Sequence, residues 1–403
     1  MSKVAIVHLD STQGHQLIYA QCFVEAARQV YARVTVLVPE AVRATAAMHL
    51  VQSGVEVTGY RSAGSIRIGK RQLPPYLKQF LHWIAVRRYC AASGRSDLII
   101  PYFESLASGM SLLRPPPQVE RIIALTMRAD LGQHDTPQDV RLWFKRRQWR
   151  RAFRHSSSPL SAVNLWASND PCLYQYLQVR AYDQSSKVRL LEDFTDCFGL
   201  PALTVTSSRL RCVLLGHLDA RKNLSVALQG ALFCGLNLGL RVEVALVGRF
   251  FPEELNLAGH AALSALASSG AVTIQTEFVD TERYRDALSN ADVVWVAYRD
   301  HPFSSGVALD AIASGRGLLA QSTGVIAHLA AQYPLSQTIP DDASPAVVAE
   351  AMKELHTTLL ARRGEHDGMS RPLEPRPEYK PNNRTAYVAQ IASLLIELSG
   401  RPA

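Results

Sequence analysis

A segment in the second half of the sequence, His301 to Gly315, combines residue types that can bind an anion. It reads HPFSSGVALDAIASG and follows DVVWVAY, an apolar and β-branched run that predicts a buried parallel strand ending near Tyr298. The apolar residues of VALDAIA recur at helical spacing, so we expect a helix to begin at Ser304, Ser305 and Gly306. A helix N-terminus presents unpaired N–H groups and a partial positive charge, which favour a phosphate ligand.

Two further features indicate the same kind of site. Asp310 lies about one turn into the expected helix, where its carboxylate can accept hydrogen bonds from ligand hydroxyls. The stretch RCVLLGHLDARKNLSVAL, Arg211 to Leu228, predicts strand, turn and helix, with Arg221 and Lys222 on the turn. Both cations form strong charge-assisted bonds with phosphate. Because open α/β sheets bind ligands at the carboxyl ends of their strands, the two turns together predict a diphosphate site.

Several motifs follow one another in a recognisable order over roughly Arg211 to Leu355. They are G-x-L-D-x-R-K-N-L (Gly216 to Leu224), V-A-L-V-G-R (Val244 to Arg249), F-V-D-x-x-x-Y (Phe278 to Tyr284), A-D-V-V (Ala291 to Val294), S-S-G-V-x-L-D-A-I-A-S-G and S-T-G-V-I (Ser322 to Ile326). This order resembles the donor-binding half of glycosyltransferase family 4, whose members are retaining nucleotide-sugar transferases of the GT-B fold. The resemblance is weaker over the first half of the chain.

The resemblance assigns roles to individual residues. Arg221 and Lys222 would hold the donor diphosphate, backbone near Phe278 and Val279 would hold the base, and Asp310 would hold the ribose. The remaining donor-binding candidates are Gly14, His15, Gly216, Arg249, Ser304, Ser305 and Gly306. Four of these assignments have structural alternatives. Arg249 is otherwise a surface residue, and Gly14–His15 otherwise an ordinary turn between strand and helix. Asp310 is otherwise a surface acid of the helix, and Lys222 a solvated cation of the turn.

The catalytic positions depart from the family pattern. The family carries two glutamates separated by seven residues, and the second corresponds to Asp310. An ungapped count places the first at Pro302, and a one-residue slip brings His301 there, with Asp300 adjacent. The family's histidine in the first domain corresponds to Tyr102, with Glu104 two residues on. The catalytic candidates are therefore His301, Asp300 and Glu104, the last alternatively a carboxylate that offsets a helix dipole.

Length and composition predict two α/β domains. The chain has 403 residues, of which 47% are hydrophobic and 19% charged, as expected for a globular protein with a large core. The family resemblance implies that these are the domains of the GT-B fold, two Rossmann-like doubly wound parallel-sheet domains facing a cleft. The expected boundaries are an acceptor-binding domain over 1–200, a nucleotide-sugar-binding domain over 201–375, and a linker with a C-terminal helix over 376–403 that crosses back to the first domain.

The predicted strands of both domains alternate with helical segments, as they do in a doubly wound parallel sheet. In the first domain they are Lys3 to Leu9, Val34 to Glu40, Val55 to Tyr60, Ser96 to Ser105, Arg121 to Thr126, a strand and helix start over Ser161 to Asp170, and Val188 to Phe194. In the second domain they are CVLLGH, VEVALVG, AVTIQTE, DVVWVAY and GLLAQ. The connection between the domains is expected within Asp193 to Ser208, and a final helix over Arg384 to Leu398.

The distribution of charged residues indicates an anionic partner. The formal net charge is +8, and Val57 to Ser96 has no acidic residue but many basic ones, interleaved with Leu77, Phe80, Leu81, Trp83 and Ile84. This composition favours contact with an anionic membrane over a solvated basic face on a packed helix. For Arg141 to His155 we favour a packed helix with snorkelling cations over a second lipid contact.

Other compartments and partners are disfavoured by what the sequence lacks. Six cysteines occur without C-x-x-C pairs, the first residues lack the long apolar core of a signal peptide, and no nucleic-acid-binding motif is present. We expect a cytoplasmic protein, peripheral at the inner face of the membrane, that does not bind nucleic acid.

The family resemblance, taken together with these observations, implies a metal-independent glycosyltransferase. It would move a sugar from a nucleoside diphosphate donor of the UDP or GDP type to a glycan or polyprenyl-phosphate-linked acceptor, with retention, in bacterial-type polysaccharide or glycoconjugate synthesis. No cofactor is implied. The alternative is a non-catalytic GT-B subunit that binds a nucleotide or glycan and supports a partner enzyme. A nucleotide-sugar epimerase of the same architecture is a third possibility.

Overall fold

The chain folds into two compact units, one formed by Met1–Glu192 with Arg384–Ala403 and the other by Asp193–Asn383. The computed structural model describes residues 4–12, 15–50, 53–61, 67–68, 71–127, 158–179, 185–201, 205–276, 279–364 and 381–399. The predicted packed helix over Arg141 to His155 lies outside the described residues, and so does most of the linker before the last helix.

The first unit is built on a seven-stranded parallel sheet of order β3-β2-β1-β6-β7-β8-β9. Its strands are β1 (Val4–His8), β2 (Arg33–Pro39), β3 (Glu56–Tyr60), β6 (Ser96–Ile100), β7 (Val119–Thr126), β8 (Leu165–Ser168) and β9 (Val188–Leu190), with a separate hairpin of β4 (Arg67–Ile68) and β5 (Arg71–Gln72). The strands are near-continuous apolar runs, and in β6 every residue is buried, because helices cover both faces of a parallel sheet.

Six described helices accompany this sheet. They are α1 (His15–Val30), α2 (Arg43–Leu50), α3 (Pro75–Ala92), α4 (Ala107–Met110), α5 (Pro171–Val179) and the C-terminal helix, which is numbered last as α12 (Arg384–Ser399). The C-terminal helix packs on α1, where the rings of Tyr19 and Tyr387 lie 6.0 Å apart. Arg189 also pairs with Glu397 at 2.7 Å. These contacts explain why Arg384–Ala403 belongs to the first unit.

The second unit contains a six-stranded parallel sheet of order β12-β11-β10-β13-β14-β15. Its strands are β10 (Arg209–Leu215), β11 (Arg241–Val247), β12 (Val272–Gln275), β13 (Val293–Val296), β14 (Gly317–Gln321) and β15 (Ser336–Ile339). Its helices are α6 (Leu224–Asn237), α7 (Leu257–Ser268), α8 (Thr281–Ser289), α9 (Gly306–Ala313), α10 (Gly324–Ala331) and α11 (Pro345–Gly364). Both sheets are doubly wound, which confirms the predicted α/β fold class.

The basic segment before β6 is mainly the helix α3, and its packing corrects one expectation. Trp83 is fully buried in the core of the first unit, and its indole Nε1 donates to the carbonyl of Leu113 at 2.8 Å. The prediction that the interleaved apolar residues rest on lipid is therefore wrong for Trp83. The basic residues Lys78 and Arg88 are exposed. A search of the described helices finds none with the length and apolarity needed to cross a bilayer.

Candidate functional site

The candidate site lies where the strand order of the second sheet reverses, at the carboxyl ends of β10 and β13. These strands pair with each other, and their chain continuations run in opposite directions along the sheet. Ligands of open α/β sheets usually bind at such a point, since the two following turns diverge and leave a crevice. The turn after β10 carries Arg221 and Lys222, and the turn after β13 carries Tyr298 to Ser305. The backbone N–H of Arg299 donates to the carbonyl of Arg221 at 2.8 Å, which joins the turns.

Two glycines allow the strand ends to approach closely. Gly216 and Gly248 follow β10 and β11 with φ of 91° and 128°. A Cβ atom on Gly248 would lie 2.1 Å from the carbonyl oxygen of Gly216. Glycine is therefore required at Gly248 both by its conformation and by the neighbouring backbone. Gly216, a predicted donor-binding residue, takes part in this packing.

Lys222 is the central cation of the site. Its side chain is buried, with the residue only 5% exposed, although lysine is almost never fully buried without a partner. Its carbonyl accepts a 2.8 Å hydrogen bond from the indole of Trp295 on β13. The ammonium donates to the hydroxyl of Tyr298 and lies 3.8 Å from the centroid of the same ring. Among the described residues, no carboxylate lies within 4.0 Å of this ammonium.

The N-terminus of α9 lies beside this cation. The helix begins at Gly306, with Ser305 as its N-cap, and no side chain caps its free N–H groups. The hydroxyl of Ser305 is 3.4 Å from the hydroxyl of Tyr298, and the hydroxyl of Ser304 donates to Asp193 at 3.0 Å. The structure thus brings Lys222, Ser305 and Gly306 together. The site combines a buried positive charge with an uncapped helix dipole.

The other predicted cations are more exposed. The Arg221 guanidinium is 5.9 Å from the centroid of the Tyr298 ring, and its Nε is 3.6 Å from a carboxylate oxygen of Asp219. The guanidinium of Arg249 stacks 4.9 Å from the centroid of the Phe251 ring. Arg221 therefore borders Tyr298, whereas Arg249 covers an aromatic ring.

The catalytic candidates of the same turn have contrasting surroundings. The ring of His301 lies between those of Tyr298 and Phe303, at 5.4 and 5.7 Å, and its Nε2 is 3.3 Å from the carbonyl oxygen of Ser304. The residue is 9% exposed. Asp300 has a left-handed backbone with φ of 51° and a side chain that is 91% exposed, 3.9 Å from Arg299. The imidazole is held inside the turn, and the carboxylate projects into solvent.

Asp310 is held by two hydroxyl groups. Thr195 donates to its Oδ1 and Tyr284 to its Oδ2, both at 2.5 Å. Burial and the neighbouring Asp310 carboxylate raise the pKa of Tyr284 well above its usual value, and they raise the pKa of the Cys197 thiol to about 12. Both groups stay protonated and can donate to the carboxylate. The Asp310 carboxylate is thus surrounded by donors from three residues, Thr195, Tyr284 and Cys197.

The remaining predicted residues belong to the first unit or are outside the described residues. Glu104, in the first unit, accepts from Thr126 at 3.1 Å and from the backbone N–H of Met127 at 2.9 Å, and so ties the ends of β6 and β7 together. Gly14, Phe278 and the side chain of His15 are outside the described residues. His15 is the first residue of α1.

A cavity of about 740 Å³ lies elsewhere in the second unit, lined by residues of β10, β11, β12 and α8. Val279 lines it, whereas Lys222, Ser305 and Asp310 do not. Its polar lining includes Glu243 and Asp286. The lining also includes Arg211 and Arg283, so its charges are of both signs. Because it includes none of the residues around the buried ammonium, we place the anion site at Lys222 and not in this cavity.

Sequence reasoning missed the partners that organise the site. Tyr298 was predicted only as a strand end, Tyr284 only as a motif residue, and Thr195 only as part of the connection between domains. The motif F-V-D-x-x-x-Y was a signal for Tyr284. Nothing in the sequence indicated Thr195, since it contacts Asp310 only through the tertiary fold.

A buried polar cluster in the first unit was also missed. Nδ1 of His82 lies 2.9 Å from Oδ1 of Asp10, and Nε2 of His8 lies 3.1 Å from the hydroxyl of Tyr60. Burial lowers the pKa of His8 to about 4. Burial opposes ionisation of Asp10, but the hydrogen bond from His82 and nearby positive charge hold the pKa of that carboxyl below its usual value.

Comparison with solved structures identifies the fold. No family model and no curated protein matches the sequence. The structure of Anabaena Alr3699/HepE in complex with UDP aligns with a TM-score of 0.62 and 12% identity over 98% of this chain and 100% of that chain. Sucrose-phosphate synthase from Thermosynechococcus elongatus aligns with a TM-score of 0.62 and 16% identity over 99% of each chain.

A third similar structure is WaaG, a glycosyltransferase involved in lipopolysaccharide biosynthesis. It aligns with a TM-score of 0.59 and 13% identity over 97% of this chain and 99% of that chain. These proteins share the two Rossmann-like parallel-sheet domains of the GT-B fold, and this chain has that fold. At such low identity the similarity establishes architecture, and function must be argued from the site.

Proposed function

We propose that the protein is a glycosyltransferase that uses a nucleoside diphosphate sugar as donor. One observation carries this proposal: the buried Lys222 ammonium has no carboxylate partner among the described residues and lies at an uncapped helix N-terminus. A buried charge is costly unless it is paired, so this arrangement favours an anionic ligand. A diphosphate fits because it can engage the ammonium and the helix N–H groups together.

The similar structures support the type of ligand. The HepE structure contains UDP, and WaaG and sucrose-phosphate synthase are transferases or synthases by name. We infer a UDP- or GDP-type donor for this chain, with Asp310 accepting from the ribose and backbone near Val279 contacting the base. No cofactor and no metal are part of the proposal, since Lys222, Arg221 and the α9 dipole supply positive charge for the leaving diphosphate.

The finer assignments follow from the family resemblance. We infer a sugar transfer with retention, by a hexosyltransferase of the family 4 type, to a glycan or polyprenyl-phosphate-linked acceptor bound by the first unit. Bacterial-type polysaccharide or glycoconjugate synthesis fits such an acceptor. The exposed cations on α3 support a peripheral association with the inner, anionic face of a membrane.

The test of the donor site is a thermal-shift and calorimetric panel of UDP, GDP and their sugar conjugates. A ligand at about 100 times its dissociation constant stabilises a protein by about 2.7 kcal/mol. We expect one nucleoside diphosphate to bind, and Lys222→Ala to weaken it roughly 10- to 100-fold through loss of a charge-assisted bond. Lys353→Ala, which removes an exposed lysine of the same unit, is the control. Unchanged affinity in Lys222→Ala would refute the assignment.

The second candidate function is a non-catalytic nucleotide- or glycan-binding subunit. It is favoured by the surroundings of two predicted site residues. The ring of the catalytic candidate His301 is enclosed by its own turn, and the donor-binding candidate Asp310 is bound to Thr195 and Tyr284. Donor hydrolysis or transfer by the purified protein, lost in Asp310→Ala, would exclude it. Tight nucleotide binding without turnover would favour it over the transferase.

A further inference from the structure

Tyr298 contacts the buried ammonium of Lys222 in two ways. The residue is 2% exposed, directly after β13, and the two side chains are 76 residues apart in the sequence. The Lys222 ammonium lies over the ring face, 3.8 Å from its centroid, and donates a hydrogen bond to its hydroxyl. A ring face carries partial negative charge, so both contacts stabilise the cation.

This partner holds the cation without neutralising it. A carboxylate in the same place would form an ion pair and cancel the positive charge that an anionic ligand needs. A phenol provides a hydrogen-bond acceptor and a π-face but has no net charge while it is protonated. An ammonium has three N–H donors, and its hydrogen bond to Tyr298 uses one of them. The others stay available for a phosphate oxygen.

The hydroxyl of Tyr298 also connects the ammonium to the helix. Because an ammonium can only donate, the Tyr298 oxygen is the acceptor from Lys222. The Ser305 hydroxyl, at the N-cap of α9, lies 3.4 Å from the same oxygen. One neutral side chain therefore fixes the distance between the two positive features of the site.

We propose that Tyr298 is a positioning residue that holds Lys222 at the N-terminus of α9 for a diphosphate oxygen. This inference rests on the proposed function and deepens it. If Tyr298 acts through Lys222, the affinity for the diphosphate group depends on Tyr298 even when Tyr298 does not touch the ligand. The affinity for the nucleoside does not depend on it.

The experiment measures UDP and uridine binding by calorimetry for the wild type and three variants. Tyr298→Phe keeps the ring and removes the hydroxyl, and we expect UDP to bind roughly tenfold more weakly. Tyr298→Leu removes both contacts, and we expect a loss of roughly 100-fold. Uridine, which lacks the diphosphate, should bind each variant within about twofold of the wild type.

Tyr298→Glu gives the sharpest result. It leaves Lys222 in place but supplies the carboxylate that the site lacks, so UDP affinity should fall as far as in Lys222→Ala. Tyr333→Phe is the matched control, because its hydroxyl is also buried and donates to the carbonyl of Arg316 at 2.9 Å. The control should bind UDP like the wild type, and melting temperatures identify any variant that fails to fold.

The possible failures are distinguishable. Wild-type UDP affinity in both Tyr298→Phe and Tyr298→Leu, with loss in Lys222→Ala, overturns the role of Tyr298 and leaves the proposed function standing. Parallel losses of UDP and uridine in the variants show a general structural role and also overturn it. A wild-type protein that binds neither UDP, GDP nor inorganic pyrophosphate overturns both proposals.

Discussion

Thr195 Oγ1 donates a 2.5 Å hydrogen bond to Oδ1 of Asp310, across 115 residues of sequence. Tyr284 donates to the other carboxylate oxygen at the same distance. The acid of α9 is therefore oriented before any ligand arrives, by one residue from the start of the second unit and one from α8. Asp310 therefore has a structural role in the second unit besides its proposed role in ligand binding.

Tyr284→Phe should destabilise the second unit by about 1.5–3 kcal/mol, because it removes a hydrogen bond to a charged acceptor. Tyr333→Phe removes a buried hydroxyl that donates to a neutral carbonyl, and should cost about 0.5–1.5 kcal/mol. Urea unfolding of the two variants measures the difference. Equal losses would show that Asp310 gains nothing from Tyr284 beyond an ordinary hydrogen bond.

Acid should destabilise the first unit through His8. Its pKa falls from 6.5 to about 4 on folding, so the unfolded chain binds the proton preferentially and unfolding becomes easier as pH decreases from 6.5 to 4. The free energy of unfolding should decrease by about 3 kcal/mol across this window. The His8 imidazole is surrounded by Asp10, His82 and Tyr60. An ionised Asp10 raises the pKa of His8 and so partly opposes the lowering by burial.

The measurement compares pH profiles of urea unfolding. His8→Gln keeps a hydrogen-bonding side chain next to Tyr60 but cannot be protonated, so its profile should be flatter than that of the wild type between pH 6.5 and 4. His49→Gln changes an exposed histidine and should leave the profile unchanged. A wild-type slope in His8→Gln would assign the acid sensitivity to other groups.

Gly248→Ala should destabilise the second unit by more than the cost of its backbone conformation. An alanine at Gly239, where φ is 69° and the added Cβ has no neighbour within 4 Å, isolates the conformational cost, about 1–3 kcal/mol. At Gly248 the Cβ would also meet the carbonyl oxygen of Gly216 at 2.1 Å. Comparison of the two variants by urea unfolding measures the added cost of this contact together with that of a φ of 128°, which alanine adopts less readily than 69°. Equal losses of stability would show that the strand ends adjust without cost.

The membrane proposal predicts that the cations of α3 contribute to vesicle binding. Lys78→Gln with Arg88→Gln should weaken binding to anionic vesicles by about 2 kcal/mol, since each basic residue near the surface contributes about 1 kcal/mol. Arg241→Gln with Lys353→Gln removes the same charge from exposed sites of the second unit. Co-sedimentation with phosphatidylglycerol vesicles compares the two double variants. Equal losses would show a nonspecific effect of net charge.

The sequence predicted the parts of the structure that depend on local patterns. Apolar runs located most strands of both sheets, and the serines before VALDAIA located the start of α9. The strand β15 was missed because its residues, S-Q-T-I, are mostly polar, as an edge strand tolerates. The buried position of Trp83 was missed because a basic segment with interleaved apolar residues has the same composition on a membrane and on a packed core.

The site was predictable only in part, because local patterns indicate residue types but not the partners that those residues meet. The types of Arg221, Lys222 and Ser305 and their places after strands indicated an anion site. The partners of Lys222 and Asp310 come from distant positions in the chain, at Tyr298, Thr195 and Tyr284. Side chains at such separations are brought together by strand order and register, which local patterns do not encode.

The C-terminal helix α12 has a consequence for the order in which the protein assembles during synthesis. The second unit is one uninterrupted stretch, Asp193–Asn383, whereas the first unit needs the helix Arg384–Ser399 to cover α1. Domains fold as they leave the ribosome, usually from the N-terminal end onward. Here the unit that begins first is completed last. Until Tyr387 is made, the face of α1 around Tyr19 has no helix against it, and the nascent chain must carry that apolar surface while the second unit folds.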